Sequence, residues 1–279
     1  MTEVPSASSL DALLREGVLD AELAALVWLT IEAGIPVVVA GEPGSGRSAL
    51  RDALLDLLPP EARTVTLARE AETFAWMAEA VELGWRHEGP WVPEADADRS
   101  RARDGEAATV LVADLEDAGP GGSTGTWGEH ARLAIRSLSV GYGMAAIAGG
   151  TSLEDVLGLL AARPVAAIDD ELTRLGVVLI LGRDEADGLR RVFAAHYLRP
   201  VARDVHGHIQ RLPPSVLATW NPMAGRFDHF AWGVVGELAG RTGRRPAEFE
   251  REQAMRARLL AARADGRTPA SIPPAPSTG

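Results

Sequence analysis

Apolar residues along the chain follow two alternating patterns, one with helical spacing and one in short continuous runs. Leu10, Leu13 and Leu14 share a helical face, and Asp20 is placed as the N-cap of a second helix that runs from Leu23 to Glu32. Further helices are predicted at 48–58, 72–83, 127–138 and 152–160. Buried strands are predicted at 35–40, 64–67, 109–114, 143–148 and 177–181. Strands that alternate with helices predict an α/β fold, with a mostly parallel sheet covered by helices on both faces.

Beyond residue 180 the pattern changes and predicts a small strand-rich extension. The runs at 177–181, 191–198 and 206–212 are typical of strands. Residues 221–225 are expected to form a turn that leads into a further extended segment at 227–230. The extension is therefore predicted to add strands after the alternating part of the fold.

The C-terminal part of the chain predicts helices and then a tail. Pro246 suits the first turn of a helix, in which Glu252 and Arg256 are spaced to pair. Helical spacing also predicts one shared apolar face, made of Met255, Leu259 and Ala262. Proline and serine predominate in residues 266–279, and no order is expected there.

The segment that follows the strand at 35–40 carries the most specific chemistry in the chain. From Gly41 to Ser48 it reads Gly-Glu-Pro-Gly-Ser-Gly-Arg-Ser. This is the phosphate-binding loop pattern G-x-x-x-x-G-K-[ST], except that Arg47 stands in the lysine position. Glycines let backbone N–H groups face a polyphosphate, and the following helix adds the positive end of its dipole. The predicted nucleotide-binding residues are Gly41, Gly44, Ser45, Gly46, Arg47, Ser48 and Ala49.

An acid at the end of a strand is the second candidate group. Asp114 ends the strand predicted at 109–114, and ligands of an open α/β sheet bind at the carboxyl ends of strands. Ser48 and Asp114 are therefore predicted to bind Mg²⁺ beside the phosphates, with the Asp114 contact passing through water. Glu116 is either a catalytic base or a solvated loop acid.

Composition limits the class of protein and its partners. The chain has 279 residues, a net charge of −11 and no cysteine, so nucleic acid is not an expected partner and a disulfide framework is excluded. The apolar runs are too short for a bilayer span and the N-terminus lacks a signal-peptide layout, so a cytoplasmic location is expected. All 28 lysine and arginine positions are arginine. Residue usage therefore offers an explanation for Arg47, although the arginine fork differs from lysine in width and reach.

Several segments together resemble one known family. They are residues 19–28 with the loop that follows, residues 110–117, residues 131–156, and the helix that begins at Pro246. Over residues 9–262 the chain resembles the motor domain of the ATPases of type II and type IV secretion, type IV pilus assembly and the archaellum. The branch that serves type IV secretion, tight-adherence pili and archaeal filaments is the most similar. The resemblance implies a RecA-like P-loop NTPase fold.

The resemblance also implies an activity and partners. Members of the family hydrolyse ATP with Mg²⁺ in hexameric rings and drive an integral membrane protein of a secretion or pilus machine. The chain is therefore expected in the cytoplasm, where it would lie at the inner face of the membrane. Residues 1–180 are expected to form the RecA-like domain with its N-terminal helices, and 181–265 the extension and helical tail of the same motor domain. The family's N-terminal domain, which helps to complete the nucleotide site, is not covered by the resemblance.

Four motif positions depart from the family pattern. Arg47 replaces the lysine, Asp114 stands where the Walker B motif usually has glutamate, and Gly149 stands where a histidine belongs. In the acidic box, Glu70 and Glu72 are the possible stand-ins for the catalytic carboxylate that orients water. Each missing electrostatic group of this kind costs on the order of 10²- to 10³-fold in rate.

These departures leave two main functions open. The first is an ATP-binding ATPase with weakened hydrolysis, coupled to a membrane assembly. The second is a catalytically degenerate structural or regulatory subunit of such a machine. A small-molecule kinase is disfavoured, because no lid-like basic segment is evident. Arg132 and Arg136, four residues apart on one predicted helix, are either arginine fingers that act across a subunit boundary or surface arginines.

Overall fold

One eight-stranded sheet organises the part of the chain described by the computed structural model, which comprises residues 9–67, 72–86, 92–93, 109–116, 125–203, 206 and 208–267. The strands of this sheet are β1 (Val37–Gly41), β2 (Thr64–Thr66), β3 (Val110–Leu115), β4 (Gly143–Ala148), β5 (Val177–Arg183), β6 (Arg190–Tyr197), β9 (Ser215–Asn221) and β10 (Arg226–His229). A separate two-stranded ribbon pairs β7 (Ala202–Arg203) with β8 (Ile209–Gln210). The α-helices are α1 (Ser9–Arg15), α2 (Ala21–Glu32), α3 (Arg47–Leu55), α4 (Gly128–Ser137), α5 (Leu153–Ala161), α6 (Asp169–Leu172), α7 (Val235–Arg241) and α8 (Pro246–Ala264).

The order of strands across the main sheet is β10-β9-β6-β5-β1-β4-β3-β2. Neighbours from β5 to β2 are parallel, whereas β5, β6, β9 and β10 pair antiparallel. Only β4 separates β1 from β3, so the loop after β1 and the acid on β3 lie at the same edge of the sheet. The strand-rich extension continues this sheet, and the expected boundary at residue 180 falls inside β5.

Both faces of the sheet are covered by helices, as the alternating pattern predicted. On β1, Val37 and Val39 belong to one apolar core, and Val38 and Ala40 belong to another, because successive strand residues point to opposite faces. The first core also contains residues of α1, α2, α3, α7 and α8, and the second contains residues of α4, α5 and α6. The α/β part of the fold prediction is confirmed.

Local sequence signals fix the starts of two helices. The Asp20 side chain accepts a hydrogen bond from the backbone N–H of Leu23 at 2.9 Å, which confirms the predicted N-cap of α2. The Ser152 hydroxyl accepts a bond from the backbone N–H of Asp155 at 3.1 Å and begins α5 in the same way. None of the helices in the described ranges is long and apolar enough to span a membrane.

The predicted helix at 72–83 is wrong. This stretch forms successive turns, in which the N–H of Met77 donates to the carbonyl of Phe74 and that of Ala80 to the carbonyl of Met77. Phe74 has φ of 54°, which breaks helical geometry, and its side chain is fully buried. Burial of Phe74, Met77 and Ala80 in the second core therefore outweighs the helix-favouring composition of the segment.

Two details of the C-terminal half also differ from the predictions. The strand β9 falls where no strand was predicted. On α8 the buried residues are Phe249, Arg256 and Leu260, and Met255 lies exposed. The predicted apolar face is wrong because α8 packs through Phe249 and Leu260. The predicted pair of Arg256 with Glu252 is confirmed.

Candidate functional site

The loop after β1 is shaped by a close backbone contact. A Cβ atom on Gly41 would lie 2.4 Å from the carbonyl oxygen of Leu181 and 2.7 Å from the Oγ atom of Ser45. No side chain fits at that distance, so only glycine allows β1, β5 and the loop to meet here. The backbone N–H of Ser45 donates to the carbonyl of Glu42 at 3.1 Å, which closes the loop into a turn.

The loop leads into α3 without a side-chain cap. Gly46 is the N-cap residue, with φ of 99°, and no side chain accepts a bond from the first turn. The N–H groups of Arg47, Ser48 and Ala49 therefore have no partner within the helix. Ser48 and Ala49 are exposed, and the buried Ser45 Oγ has no hydrogen-bond partner in the described part of the chain. Unpaired N–H donors at the positive end of a helix are the arrangement that binds anions.

The Arg47 side chain is directed away from solvent. It is 7% exposed, and its Nη1 atom donates to the carbonyl oxygen of Ala148 at 2.7 Å and forms an ion pair with Glu116. Ala148 ends β4 and Glu116 follows β3, so the guanidinium lies against the carboxyl ends of these two strands. Arg47 is therefore fixed by two acceptors of its own chain.

A second arginine of α3 forms an ion pair with the acid near the end of β3. Arg51, one helical turn after Arg47, donates from Nη1 to Oδ1 of Asp114, and its side chain is only 12% exposed. The Asp114 carbonyl also accepts a bond from the N–H of Thr126 at 2.7 Å. The sequence reasoning missed Arg51. Its spacing of four from Arg47 is the signal that places both arginines on one face of α3.

These contacts do not fit the predicted magnesium site. Each of the two carboxylates has an arginine on one of its oxygens, Arg51 on Oδ1 of Asp114 and Arg47 on Oε1 of Glu116, and a hard cation competes poorly for oxygens beside such a charge. Ser48 lies exposed at the start of α3 and remains the only predicted ligand without a cation beside it in the described structure. Within the described ranges, no group of three or more histidine or acidic side chains is arranged to hold a metal ion.

A cavity of about 370 Å³ opens on the other side of the loop. Loop residues 42–45 form one wall, and Arg183, Arg190 and Phe193 of β5 and β6 form the other. Nη1 of Arg190 lies 3.2 Å from the position that a Cβ atom would take on Gly46. The Arg190 side chain is exposed, and among the described residues it has no hydrogen-bond or ion-pair partner. It is thus a free cation beside the first turn of α3, which the sequence reasoning missed because no motif marks it.

Of the two acidic-box candidates, the structure describes only one. Glu70 lies outside the described residues. Glu72 is buried, and its Oε1 atom accepts bonds from the N–H of Phe74 at 2.9 Å and from the ring N–H of Trp76 at 3.1 Å. Its role as a water-orienting carboxylate stays a prediction, and Glu72 holds the turn at 72–76.

The segment after β4 leaves space at the histidine position. A Cβ atom on Gly149 would meet only a methyl carbon of Leu159, at 3.7 Å. Nearby, Asp155 accepts bonds from the N–H and the hydroxyl of Thr151, both at 3.0 Å. The Thr151 N–H bond is the main cause that lowers the pKa of Asp155, so this carboxylate stays ionised and holds the segment against α5.

Arg132 and Arg136 both lie beside Glu171. The Nε atom of Arg136 donates to Glu171 at 2.7 Å, and the Nε atom of Arg132 lies 3.7 Å from the same carboxylate. Arg136 is near the end of α4, which leads to the amino end of β4, so it lies at the sheet edge opposite the loop. Within one chain these arginines join α4 to α6, and a role across a subunit boundary stays a prediction.

Comparisons with known proteins add little to this geometry. No protein-family model and no curated protein matches the chain. Among solved structures, it is similar to the VirB11 ATPase from the Brucella suis type IV secretion system in complex with sulphate, with 21% sequence identity and a TM-score of 0.40. The match covers 71% of this chain and 56% of that chain, so it spans little more than half of the solved protein. A likeness at this level carries no argument about function.

Proposed function

We propose that the chain is a nucleotide-binding P-loop protein with a degenerate hydrolytic centre. It would bind ATP or ADP through the loop at 41–48 and the first turn of α3, and would serve as a structural or regulatory subunit of a larger machine. The single observation that carries this proposal is the pairing of two arginines of α3 with the two candidate acids, Asp114 and Glu116. Arg47 pairs with Glu116, and Arg51 pairs with Asp114.

Nucleotide binding is supported by donors that have no partner. The N–H groups of Arg47, Ser48 and Ala49 begin an uncapped helix, and the Ser45 hydroxyl is buried without a hydrogen bond in the described structure. Arg190 adds a free positive charge beside Gly46. Ser45 and Arg190 also line a cavity of about 370 Å³ beside the loop. An anionic polyphosphate at the loop would accept hydrogen bonds from donors of this kind.

Weak or absent hydrolysis is supported by the state of the catalytic groups. Arg47 is held against Ala148 and Glu116, so it does not extend over the loop as a lysine would. Gly149 supplies no side chain where the family pattern has a histidine. Residues that act as a unit lose their function together, so further losses after the first add little. Turnover near the uncatalysed rate is therefore expected.

The assignment to a RecA-like fold rests on the placement of the loop and the acid. β1 and β3 are parallel strands separated by β4, and both end at the edge where α3 begins. The motif resemblance extends this proposal to the motor domain of secretion and pilus ATPases. A ring of subunits, a membrane-embedded partner and a cytoplasmic location follow from that resemblance alone, and sedimentation of the purified chain tests the ring.

Thermal unfolding with and without nucleotide tests binding. Ligand at about 100 times its Kd adds about 2.7 kcal/mol, which for a chain of this size raises Tm by roughly 5–10 °C. Arg190→Gln is expected to weaken binding about tenfold, because a charged hydrogen bond is lost. Arg174→Gln is the matched control, since it removes the same charge from an exposed position at the opposite edge of the sheet.

Phosphate release tests the degenerate centre. The parent chain is expected to release phosphate from ATP at the background rate, with or without magnesium. Magnesium-dependent release by the parent that disappears in Ser48→Ala would show a working ATPase and reject degeneracy. Absence of any nucleotide-induced rise in Tm would reject the binding site itself.

A further inference from the structure

We infer that this site binds nucleotide without a divalent cation, because guanidinium groups of α3 hold the carboxylates that a magnesium ion would need. The inference rests on the proposed nucleotide binding and adds the ionic form in which the nucleotide is bound. It departs from the magnesium site predicted at Ser48 and Asp114.

The geometry of α3 is the first support. Arg47 and Arg51 are one helical turn apart, and they reach the residues that end or follow β3 on the side where the loop lies. Arg47 is 7% exposed and Arg51 is 12% exposed, whereas the carboxylates of Glu116 and Asp114 are 31% and 35% exposed. The cations are therefore the buried members of both pairs. The helix cannot withdraw them without exposing or repacking its inner face, where Leu50 and Leu54 are buried.

Charge balance is the second support. A magnesium ion on Oδ1 of Asp114 would have to displace the Arg51 guanidinium, which would then keep only its contact with the exposed Asp52 carboxylate, at 2.9 Å. Such a cation is disfavoured, because it would lie beside the positive charge of a largely buried arginine. Glu116 offers no alternative, since Arg47 holds it. A divalent cation at this position is thus opposed both by the loss of a ligand and by repulsion from arginine.

The phosphates do not lack positive charge in this arrangement. The N-terminus of α3 and its free N–H groups lie at the loop, and Arg190 approaches the same turn from β6. These groups perform the neutralising role that magnesium has in an intact site. They are fixed by the fold and do not depend on ion concentration.

Calorimetric titration with ADP and with ATP, in magnesium chloride or in EDTA, tests the inference directly. If nucleotide and magnesium are not coupled, each nucleotide binds with a Kd that differs by less than about threefold between the two buffers. A second measurement uses Mn²⁺ as a paramagnetic probe. The complex of parent chain and ADP is expected to add no bound Mn²⁺ beyond that held by ADP alone.

The variant Arg51→Gln tests whether the ion pair of Arg51 with Asp114 is what excludes magnesium. It frees Asp114 while leaving a polar side chain on α3, so magnesium is expected to tighten ADP binding by about tenfold in this variant. Arg174→Gln is the control with the same change in net charge, and it should bind like the parent in both buffers. Circular dichroism checks that both variants are folded.

The outcomes separate this inference from the proposed function. Nucleotide binding with similar Kd in magnesium chloride and in EDTA supports the proposed function and the inference. Binding in magnesium that is lost in EDTA overturns the inference and leaves the nucleotide site standing. No binding in either buffer overturns the proposed function, and the inference with it.

Discussion

Arg47 determines which groups are paired beside the loop after β1. It stands in the lysine position of the pattern, but its planar fork reaches Ala148 and Glu116 at the ends of neighbouring strands. An ammonium group on a slimmer stem has a different reach and does not offer the same fork of donors. The exchange therefore changes which groups are paired, although the strand, loop and helix of the pattern are all present.

Removal of Arg47 is expected to destabilise the fold. Arg47→Ala leaves Glu116 and the Ala148 carbonyl without their donor, and the expected loss in unfolding free energy is about 2–3 kcal/mol. Urea unfolding of Arg47→Ala, Glu116→Gln and the double variant measures the coupling. The double variant should be less destabilised than the sum of the two by about 1 kcal/mol. Strictly additive losses would contradict the ion pair.

Substitutions at Gly41 and Gly44 separate two costs, that of a close contact at the Cβ position and that of a positive φ angle. Gly41→Ala places a methyl group against the Leu181 carbonyl, so a loss of about 3 kcal/mol in unfolding free energy is expected from overpacking against backbone. Gly44 has φ of 80° but nothing within 4 Å of its Cβ position. Gly44→Ala should cost only the conformational strain, about 1 kcal/mol. Equal losses in denaturant unfolding would show that the close contact at Gly41 is not limiting.

Helix α3 contributes to the core and to the candidate site through different residues. Its N-terminus presents free N–H groups, Leu50 and Leu54 enter the first core, and its arginines reach the ends of β3 and β4. Any change in the position of α3 therefore changes the core and the site together. We expect the site to be among the most rigid parts of the described fold.

Helix α8 is attached to α2 through a buried cation. Arg256 is 7% exposed, pairs with Glu252 and Glu32, and its guanidinium carbon lies 4.4 Å from the centre of the Trp28 ring. Arg256→Ala is expected to cost about 2–4 kcal/mol in unfolding free energy, because two carboxylates and an aromatic face lose their partner.

Arg258 offers the matched control on the same helix. It is exposed, and Arg258→Ala should change the unfolding free energy by less than about 0.5 kcal/mol. Thermal or urea unfolding of both variants gives the comparison. Similar effects of the two substitutions would mean that the buried arginine contributes no more than a surface one.

Contacts between distant parts of the sequence hold the whole sheet and its helices together. His229, at the end of β10, lies 2.8 Å from Oδ2 of Asp20, the N-cap of α2. Burial alone lowers the pKa of His229, but the bond to Asp20 and the charges of Asp20, Glu22 and Asp228 outweigh it, and the pKa is raised. The edge of the antiparallel extension is thus joined to the N-terminal helices by a histidine whose pKa is raised in the folded chain.

Stability is therefore expected to depend on pH through His229. The pKa of His229 is raised in the folded chain. Its contribution to the free energy of unfolding is therefore complete at pH values below the unfolded-state pKa of 6.5, and it is lost as pH rises through the folded-state pKa. The contribution of this partly exposed pair is about 0.5–1 kcal/mol. Urea unfolding across this pH range should show a smaller loss of stability in His229→Gln than in the parent.

His196 provides a control of opposite sign. Burial lowers its pKa, and Glu154 opposes the shift only in part, so His196 in the folded chain resists protonation. It therefore lowers the free energy of unfolding at pH values below the pKa of histidine in the unfolded chain. This loss disappears as pH rises. His196→Gln should make the loss of stability with rising pH steeper. The same direction of change in both variants would contradict the assignment of their pKa shifts.

The parallel part of the fold was predictable because its signals are local. Uninterrupted apolar runs gave β1, β3 and β4, and the N-cap at Asp20 marked the start of α2. The stretch at 72–83 has a composition that favours helix, yet tertiary burial of Phe74 with positive φ decides against it. Propensity is a weak guide where a large apolar side chain has a defined place in the core.

The candidate site was predictable only as far as its motif extends. The loop and Asp114 were found from pattern and position, and they lie at one edge of the sheet. Arg51 and Arg190 carry no motif, because their importance depends on the placement of α3 over β3 and of β6 beside the loop. Long-range placement of this kind is not encoded in the spacing of residues along the chain.

The open position at Gly149 has a consequence for the history and the engineering of the molecule. A Cβ atom there meets only one methyl carbon at an ordinary distance, so alanine enters without any shift of the main chain. The lack of a side chain at this position is therefore a matter of residue choice, since the backbone leaves room for a Cβ atom. A single codon change is enough to place one there.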